Sequence, residues 1–285
     1  RSMTDEKYDK PRYINPLTDY GFKKLFGEKD IMTAFLTDLL NPSSPIEDIV
    51  FLDKEMAAET GDLTGVVYDL RCKTADGEEF LVEMQNKTQR TFSDRILFYL
   101  SRSISTQIPK GKRESLWNYK LSPVYGVFFT NFHLQGFHRR PIRTIQLKVD
   151  ETGEVFSDKV KAFVLELPDY RGKSEDYPQT PIEYWLYNLA NMGTMTTTLP
   201  FQNQQPIFQK MGGIAEIVRM NEEELNKYNV SLDTYYTSCA VMENERYEGR
   251  KAQNIENARK MKGLGLSLDI IRQVTNLSAE EINRL

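Results

Sequence analysis

Two acidic residues lie on neighbouring strand-like segments, and their spacing predicts that they face each other. Residues 66–73 and 80–87 both alternate between apolar and polar side chains, as strands with one buried face do. Asp69 lies on the polar face of the first segment and Glu83 on the polar face of the second. One or two carboxylates, together with phosphate oxygens, are the ligands with which proteins typically hold Mg²⁺. The chemistry indicated is therefore metal-assisted reaction at a phosphate.

The connection between the two segments decides whether the acids meet. Asp76-Gly77 is a hairpin signal. A two-residue loop would pair Asp69 with Met84 and place a polar face beside an apolar one, which the alternation excludes. A three-residue loop, 75–77, sets Asp69 opposite Glu83 with their Cβ atoms about 5 Å apart. We therefore predict the three-residue loop, with its glycine in the left-handed conformation.

Two interpretations of this hairpin follow from the residues alone. Like charges directly opposite each other destabilise a sheet, and a divalent cation between Asp69 and Glu83 removes the conflict. Alternatively, the hairpin is exposed and its acids pair with Arg71 and Lys87. The hairpin by itself leaves both interpretations open.

Asp69, followed after a short gap by Glu83-Met84-Gln85, resembles the active-site motif of the PD-(D/E)XK nuclease superfamily. More narrowly, it resembles the PD-(D/E)XK nuclease family transposases, which are related to recombination-promoting nucleases. Three further segments resemble motifs of the same branch: 15–27, 94–102 and 123–129. These blocks follow the order of the branch and cover roughly the first half of the chain.

The resemblance implies a Mg²⁺-dependent (or Mn²⁺-dependent) DNA endonuclease that hydrolyses phosphodiester bonds. Asp69 and Glu83 would be the metal ligands, and the backbone carbonyl of Met84 a further one. The third motif position usually holds a lysine, and here it is Gln85. The same substitution occurs in the branch that the chain resembles. A glutamine can hold a water molecule but cannot take its proton. Asp19 is a further candidate acid near the metal, or else the N-cap of the helix that follows it.

Four residues are candidates for binding the DNA substrate. Arg95 and Tyr99 lie on one face of a predicted helix and would reach the phosphate or support Glu83; alternatively they form a surface stripe. Lys23 is a candidate phosphate contact. Lys87 would supply the charge missing at Gln85, or else lies at a solvated strand end.

The composition bounds the class of protein. The 285 residues include 40% hydrophobic and 27% charged residues, as in ordinary globular proteins. The net charge of −4 differs from that of strongly basic DNA-binding proteins, so a nucleic-acid site must be a local basic patch or bind weakly. Cys72 and Cys239 provide neither a disulfide framework nor zinc-ligand spacing. With no signal peptide and no apolar run near 20 residues, we expect a cytoplasmic protein without membrane association, and a possible homodimer.

Periodicity predicts an α/β protein with a restriction-endonuclease-like core, a mixed sheet flanked by helices, followed by an all-helical C-terminal region. Leu97, Leu100, Ile104 and Ile108 form the predicted buried stripe of the helix after the hairpin. Helices are predicted at 16–26, 31–40, 92–108, 182–192, 207–220, 221–249, 255–262 and 268–275, a hairpin at 65–87, and strands at 46–52, 142–149 and 162–167. The nearly continuous apolar sequence of 125–130 predicts a central strand.

Three regions are predicted along the chain. Residues 1–168 form the nuclease-like core, 169–250 a helical region, and 251–285 a small helical or helix-turn-helix-like tail. Ser267 and Ser278 are predicted N-caps of two helices in the tail. The tail either reads DNA or packs as a helical cap. His133 and His138 are interpreted as part of an exposed loop without metal-ligand spacing, in which phosphate contact is an option.

Two functions from different classes remain open. The first is the metal-dependent endonuclease, related to recombination. The second is a catalytically weak or inactive nuclease-fold scaffold for protein or nucleic-acid interaction, which the acidic net charge and Gln85 favour.

Overall fold

A computed structural model describes residues 10–42, 45–53, 55–56, 66–107 and 120–285 of the chain. The chain forms two compact units, the first ending at Leu232 and the second spanning Asp233–Leu285. Pro168, the predicted end of the nuclease-like core, lies within the first unit. The three-region division stays a prediction. None of the described helices combines the length and apolar character needed to cross a membrane.

A six-stranded mixed sheet forms the centre of the first unit. Its strands are β1 (Ile49–Phe51), β4 (Leu70–Thr74), β5 (Glu79–Gln85), β6 (Val124–Thr130), β7 (Ile142–Lys148) and β8 (Val155–Glu166). They are arranged in the order β1-β4-β5-β6-β8-β7, in which β5, β6 and β8 are parallel and the other neighbours antiparallel. Two short strands, β2 (Glu55–Met56) and β3 (Val66–Val67), pair separately. The predicted mixed sheet is confirmed.

Strand β6 is buried along its whole length because β5 and β8 flank it on both sides. This burial explains its nearly continuous apolar sequence. The crossover from β5 to β6 contains helix α3 (Phe92–Ser105), which packs on one face of the sheet. Gly126 lies beneath α3, where an added Cβ would approach Phe128 Cε2 to 2.5 Å and Leu100 Cδ2 to 3.3 Å. The absent side chain leaves room for the Phe128 ring beneath the helix.

The buried face of α3 differs from the predicted stripe. Its buried residues are Phe92, Ile96, Leu100 and Ser103, whereas Leu97 is 63% exposed. The helix is rotated by about one residue relative to the prediction, since Ile96 and not Leu97 contacts the sheet. Ile108, the last residue of the predicted stripe, lies outside the described residues.

An aromatic cluster fixes further helices to the opposite face of the sheet. These helices are α1 (Asp19–Phe26), α2 (Lys29–Leu40), α4 (Pro181–Asn191) and α5 (Ile207–Ala215). The ring of Phe129 on β6 lies 5.3 Å from that of Phe26 on α1 and 5.2 Å from that of Phe35 on α2. Trp185 on α4 lies 5.6 Å from Phe35. Aromatic packing of this kind holds α1 firmly against the sheet.

The second unit is helical. Helix α6 runs without interruption over Glu222–Gly263, so the predicted end near Gly249 and the predicted separate helix at 255–262 are wrong. A glycine inside a helix costs only about 1 kcal/mol and does not have to end it. Helices α7 (Leu268–Thr275) and α8 (Ala279–Asn283) follow, and Ser267 and Ser278 cap them as predicted. Their small core consists of Ala258, Ile271, Leu277 and Ile282.

Candidate active site

The hairpin between β4 and β5 has the predicted three-residue loop. Gly77 adopts φ +89°, and the amide of Thr74 donates to the carbonyl of Glu78 at 2.9 Å. Only glycine takes this backbone conformation without strain. The register that follows places Asp69, one residue before β4, opposite Glu83 in β5. The predicted pairing of the two acids is confirmed.

Each of the two carboxyl groups accepts a hydrogen bond from a backbone amide across the hairpin. The amide of Asp69 donates to Glu83 Oε1 at 3.1 Å, and the amide of Met84 donates to Asp69 Oδ2 at 2.9 Å. Glu83 is 1% exposed, and Asp69 is half-buried. Backbone amides therefore fix both acids in place while they remain next to one another.

Burial makes ionisation of this pair costly. Burial in the sheet and the neighbouring charge of Asp69 raise the pKa of Glu83 from its ordinary 4.5 to about 8. Burial also raises the pKa of Asp69, against the opposing effect of the hydrogen bond from Met84. Two carboxyl groups in this arrangement share a proton near neutral pH, or hold a cation. The donor set thus fits a hard divalent ion.

Side chains on β5 and α3 lie next to Oε2 of Glu83. Gln85 Nε2 donates to Glu83 Oε2 at 3.0 Å, and Arg95 Nη2 lies 3.4 Å from the same oxygen. The Arg95 guanidinium is 5.0 Å from the centre of the Tyr99 ring. Arg95 Nε is buried and has no hydrogen-bond partner among the described residues. The structure therefore brings Gln85, Arg95 and Tyr99 to the acid pair.

Helix α1 approaches the pair from the other side of the hairpin. The side chain of Thr18, not that of Asp19, caps α1 by accepting from the amide of Gly21, so the interpretation of Asp19 as an N-cap is wrong. Asp19 instead forms an ion pair with Lys23 at 2.5 Å. The charge of Lys23 lowers the pKa of Asp69 and that of Asp19 raises it, so both side chains act electrostatically on Asp69.

A side-chain hydrogen bond ties the segment before α1 to the residue after β5. Asn86, the residue after Gln85, donates from Nδ2 to the carbonyl of Leu17 at 2.7 Å. Leu17 lies two residues before the start of α1. This hydrogen bond explains why the first turn of α1 lies near the acid pair.

The sequence model of the family described as PD-(D/E)XK nuclease family transposase matches residues 16–245. The chain belongs to this family. No curated protein and no solved structure matches the chain significantly.

Membership agrees with the architecture and with the position of the acids. The mixed sheet with flanking helices, followed by a long helical region, confirms the predicted restriction-endonuclease-like fold. Asp69, Glu83 and Gln85 all lie within the matched region. The family indicates a nuclease-type function related to recombination.

Two of the predicted site residues are placed less favourably. Lys87 is exposed and lies two residues after the end of β5, so strand alternation no longer directs its side chain toward the acids. Within the described part of the chain, Lys87 makes no recorded contact with Asp69 or Glu83. Met84 contributes its amide to Asp69, and its carbonyl as a metal ligand stays a prediction.

A second cluster of titratable groups was missed by sequence reasoning. His133, Glu166 and Asp169 offer ligand atoms that all lie within 4.8 Å of one another. His133 lies in a loop, as predicted, but the interpretation that nothing at metal-ligand spacing accompanies it is wrong. His133 Nδ1 lies 2.8 Å from Glu166 Oε2 and 3.8 Å from Asp169 Oδ2. These residues come from the loop after β6 and from the end of β8 and the turn after it, which only the folded sheet brings together.

Arginines already occupy this second cluster. Arg139 Nη2 lies 2.8 Å from Asp169 Oδ1, and Arg143 Nη2 lies 3.1 Å from Glu166 Oε1. Arg139 Nη2 is also 2.9 Å from His133 Nε2, which therefore accepts, while Nδ1 donates to Glu166. With both carboxylates balanced by guanidinium groups, the cluster acts as a brace between loops, in contrast to the acid pair.

Proposed function

We propose that this chain is a Mg²⁺- or Mn²⁺-dependent DNA endonuclease that hydrolyses phosphodiester bonds. One observation carries the proposal: Asp69 and Glu83 are two facing carboxyl groups, fixed by backbone amides and penalised by burial when both are ionised. A divalent ion relieves that penalty. The family supports the nuclease class.

Asp69 and Glu83 would hold the ion. When bound, such an ion polarises a phosphoryl oxygen and lowers the pKa of a bound water. The amide hydrogen bonds from Met84 and Asp69 orient the two carboxylates beforehand, so that little reorganisation is needed. Ligands on strands hold their positions more accurately than ligands on a mobile loop.

Gln85 and Arg95 act on either side of Glu83. Gln85 Nε2 is engaged by Glu83, which leaves its carbonyl oxygen to accept a hydrogen bond from the attacking water. Because a carboxamide cannot accept the proton, the proton passes to solvent or to the phosphate. Arg95, packed against Tyr99, places a permanent positive charge beside the site where negative charge develops on the phosphate.

Lys23 and Asp19 belong to the same proposal. Their ion pair lies on α1, and both charges influence Asp69. Lys23 would contact a backbone phosphate, while Asp19 would be a further acid on the metal side. The exposed Lys87 would contact DNA at the periphery.

Cleavage of supercoiled plasmid tests the proposal. Purified protein is incubated with Mg²⁺ or Mn²⁺ beside Asp69→Asn and Glu83→Gln, with Asp150→Asn as a matched control at an exposed acid in the β7–β8 turn. We expect metal-dependent nicking by the wild type and the control, and none by the two site variants. Nicking that persists in both site variants would refute the assignment of the site.

The scaffold alternative is favoured by Gln85, whose side chain cannot accept a proton, and by the net charge of −4. It predicts that the wild type neither cleaves DNA with any divalent ion nor binds the ion. Homodimer formation and a cytoplasmic location stay predictions.

A further inference from the structure

The parallel strands β5, β6 and β8 end at the same edge of the sheet. Gln85, Thr130 and Glu166, their last residues, are neighbours across the three strands. The segments 86–91, 131–141 and 167–176 therefore all leave the sheet at this edge. Ligands of α/β proteins commonly bind outside the carboxyl ends of parallel strands.

These three segments carry an excess of positive charge. They contain six exposed cations against three acids; the ion pair of Arg139 with Asp169 balances one of each, which leaves five cations against two acids. The other two acids are Glu175 and Asp176. We call the six cations the basic edge: Lys87, Arg90, Arg139, Arg140, Arg171 and Lys173. In a chain with a net charge of −4, such a local concentration is the form a nucleic-acid site must take.

The loops that carry the basic edge are fixed to one another. The amide of Asn131 donates to the carbonyl of Gln85 at 2.8 Å, and Arg171 donates to the side chain of Asn131. Glu166, 1% exposed, binds both His133 and Arg143. The cluster that resembles a metal site thus holds the loop after β6 against the end of β8. Cations on a fixed backbone lose less entropy when they bind a phosphate.

An aromatic side chain is exposed in the loop that carries Arg139 and Arg140. Phe137 is 57% exposed and lies two residues before Arg139 in the same loop. The guanidinium of Arg143 lies 5.3 Å from the centre of its ring. An exposed ring on a basic surface is the combination with which proteins hold single strands, because every base can stack on it.

We propose that the basic edge and Phe137 bind a single-stranded segment of DNA, with phosphates on the cations and one base stacked on Phe137. The surface begins at Gln85, beside the acid pair, so as a substrate path it rests on the proposed nuclease function. A base that stacks on Phe137 must be unpaired, which is why the surface selects a single strand over a duplex.

The first test measures the electrostatic part. Binding of fluorescein-labelled oligo(dT) is followed by anisotropy in EDTA, at several salt concentrations, for the combined variant Lys87→Gln, Arg90→Gln, Arg140→Gln. We expect the affinity at 0.1 M salt to fall about 100-fold and the slope of log K against log salt to decrease in size by about 2. The matched control removes three lysines near the opposite end of the strands, two exposed and one, Lys159, partly exposed: Lys73→Gln, Lys148→Gln, Lys159→Gln. Equal losses in both variants, or none in either, would overturn the proposal.

The second test measures the stacking part. Phe137→Ala should weaken oligo(dT) binding roughly fivefold or more without changing the salt slope. Its effect on a duplex of the same length should be absent. If oligo(dT) and duplex lose affinity equally, or neither does, Phe137 is not a stacking platform and single-strand selection is refuted.

These binding measurements need no cleavage. If the protein binds oligo(dT) in the expected pattern but never cuts DNA, the basic-edge proposal stands and the nuclease proposal is refuted. If it cuts DNA but all variants bind oligo(dT) equally well, the nuclease proposal stands and the basic-edge proposal is refuted.

Discussion

Replacing Glu83 by glutamine should stabilise the metal-free protein. Glu83 is almost fully buried, and its pKa is raised from 4.5 to about 8, so the folded state resists the ionisation that the unfolded state undergoes freely. Integrated to pH 7, this difference corresponds to a stability loss of about 3 kcal/mol in the wild type. Glu83→Gln removes the charge but also one good acceptor for Gln85 and Arg95, which costs about 1 kcal/mol. We expect a net gain of about 2 kcal/mol.

The stability of the wild type should fall as the pH rises, because folded Glu83 resists ionisation. Below pH 4.5, both folded and unfolded Glu83 are protonated, and no penalty exists. Between 4.5 and about 8, folding requires uptake of a proton, so wild-type stability falls as the pH rises, by about 1.4 kcal/mol per unit. Above that range the penalty is constant. The variant should lack this fall.

Urea denaturation in EDTA between pH 5 and pH 9 measures both quantities. Tryptophan fluorescence reports on the first unit, because the buried Trp185 lies within it. In a separate thermal melt at pH 7, the melting temperature of the variant should be about 4–8 °C higher than that of the wild type. A wild type whose stability is flat across this range, or a variant no more stable than it at pH 8, would show that Glu83 is not held in a penalised state.

Three further predictions follow from the same geometry. Mg²⁺ should raise the melting temperature of the wild type more at pH 8 than at pH 6, because protons compete with the ion for Glu83. It should leave the melting temperature of Asp69→Asn unchanged, and equal shifts in both proteins would contradict the proposed metal site. Gly77→Ala should destabilise the first unit by about 1–2 kcal/mol in urea, since alanine is strained at φ +89°, and an unchanged midpoint would show that the loop relaxes. Arg95→Gln should lower plasmid cleavage roughly tenfold or more at saturating Mg²⁺ while leaving Mg²⁺ binding intact. Unchanged cleavage would remove Arg95 from the reaction.

The hairpin could be predicted because its signals are local. Alternation fixes which face each side chain occupies, and Gly77 determines the length of the loop, so the pairing of Asp69 with Glu83 needed no knowledge of the rest of the chain. The central position of β6 was predicted for a similar reason, its continuous apolar sequence. Serine caps at Ser267 and Ser278 were equally legible.

Other features depend on contacts between distant segments. The brace of His133, Glu166 and Asp169 joins residues that are more than 30 positions apart, and no local pattern marks it. The sheet beneath α3 determines which face of the helix is buried, so the prediction from periodicity alone placed Leu97 in the buried stripe where the structure has Ile96. Helix α6 passes Gly249 because one glycine is too weak a signal to end a helix.

The most direct measurement is anomalous diffraction from crystals soaked in Mn²⁺ at pH 8. The proposed function predicts an anomalous peak between the carboxyl groups of Asp69 and Glu83 in the wild type, and its loss in Glu83→Gln. A peak at His133, Glu166 and Asp169 with none at the acid pair would contradict it, as would no peak at either place.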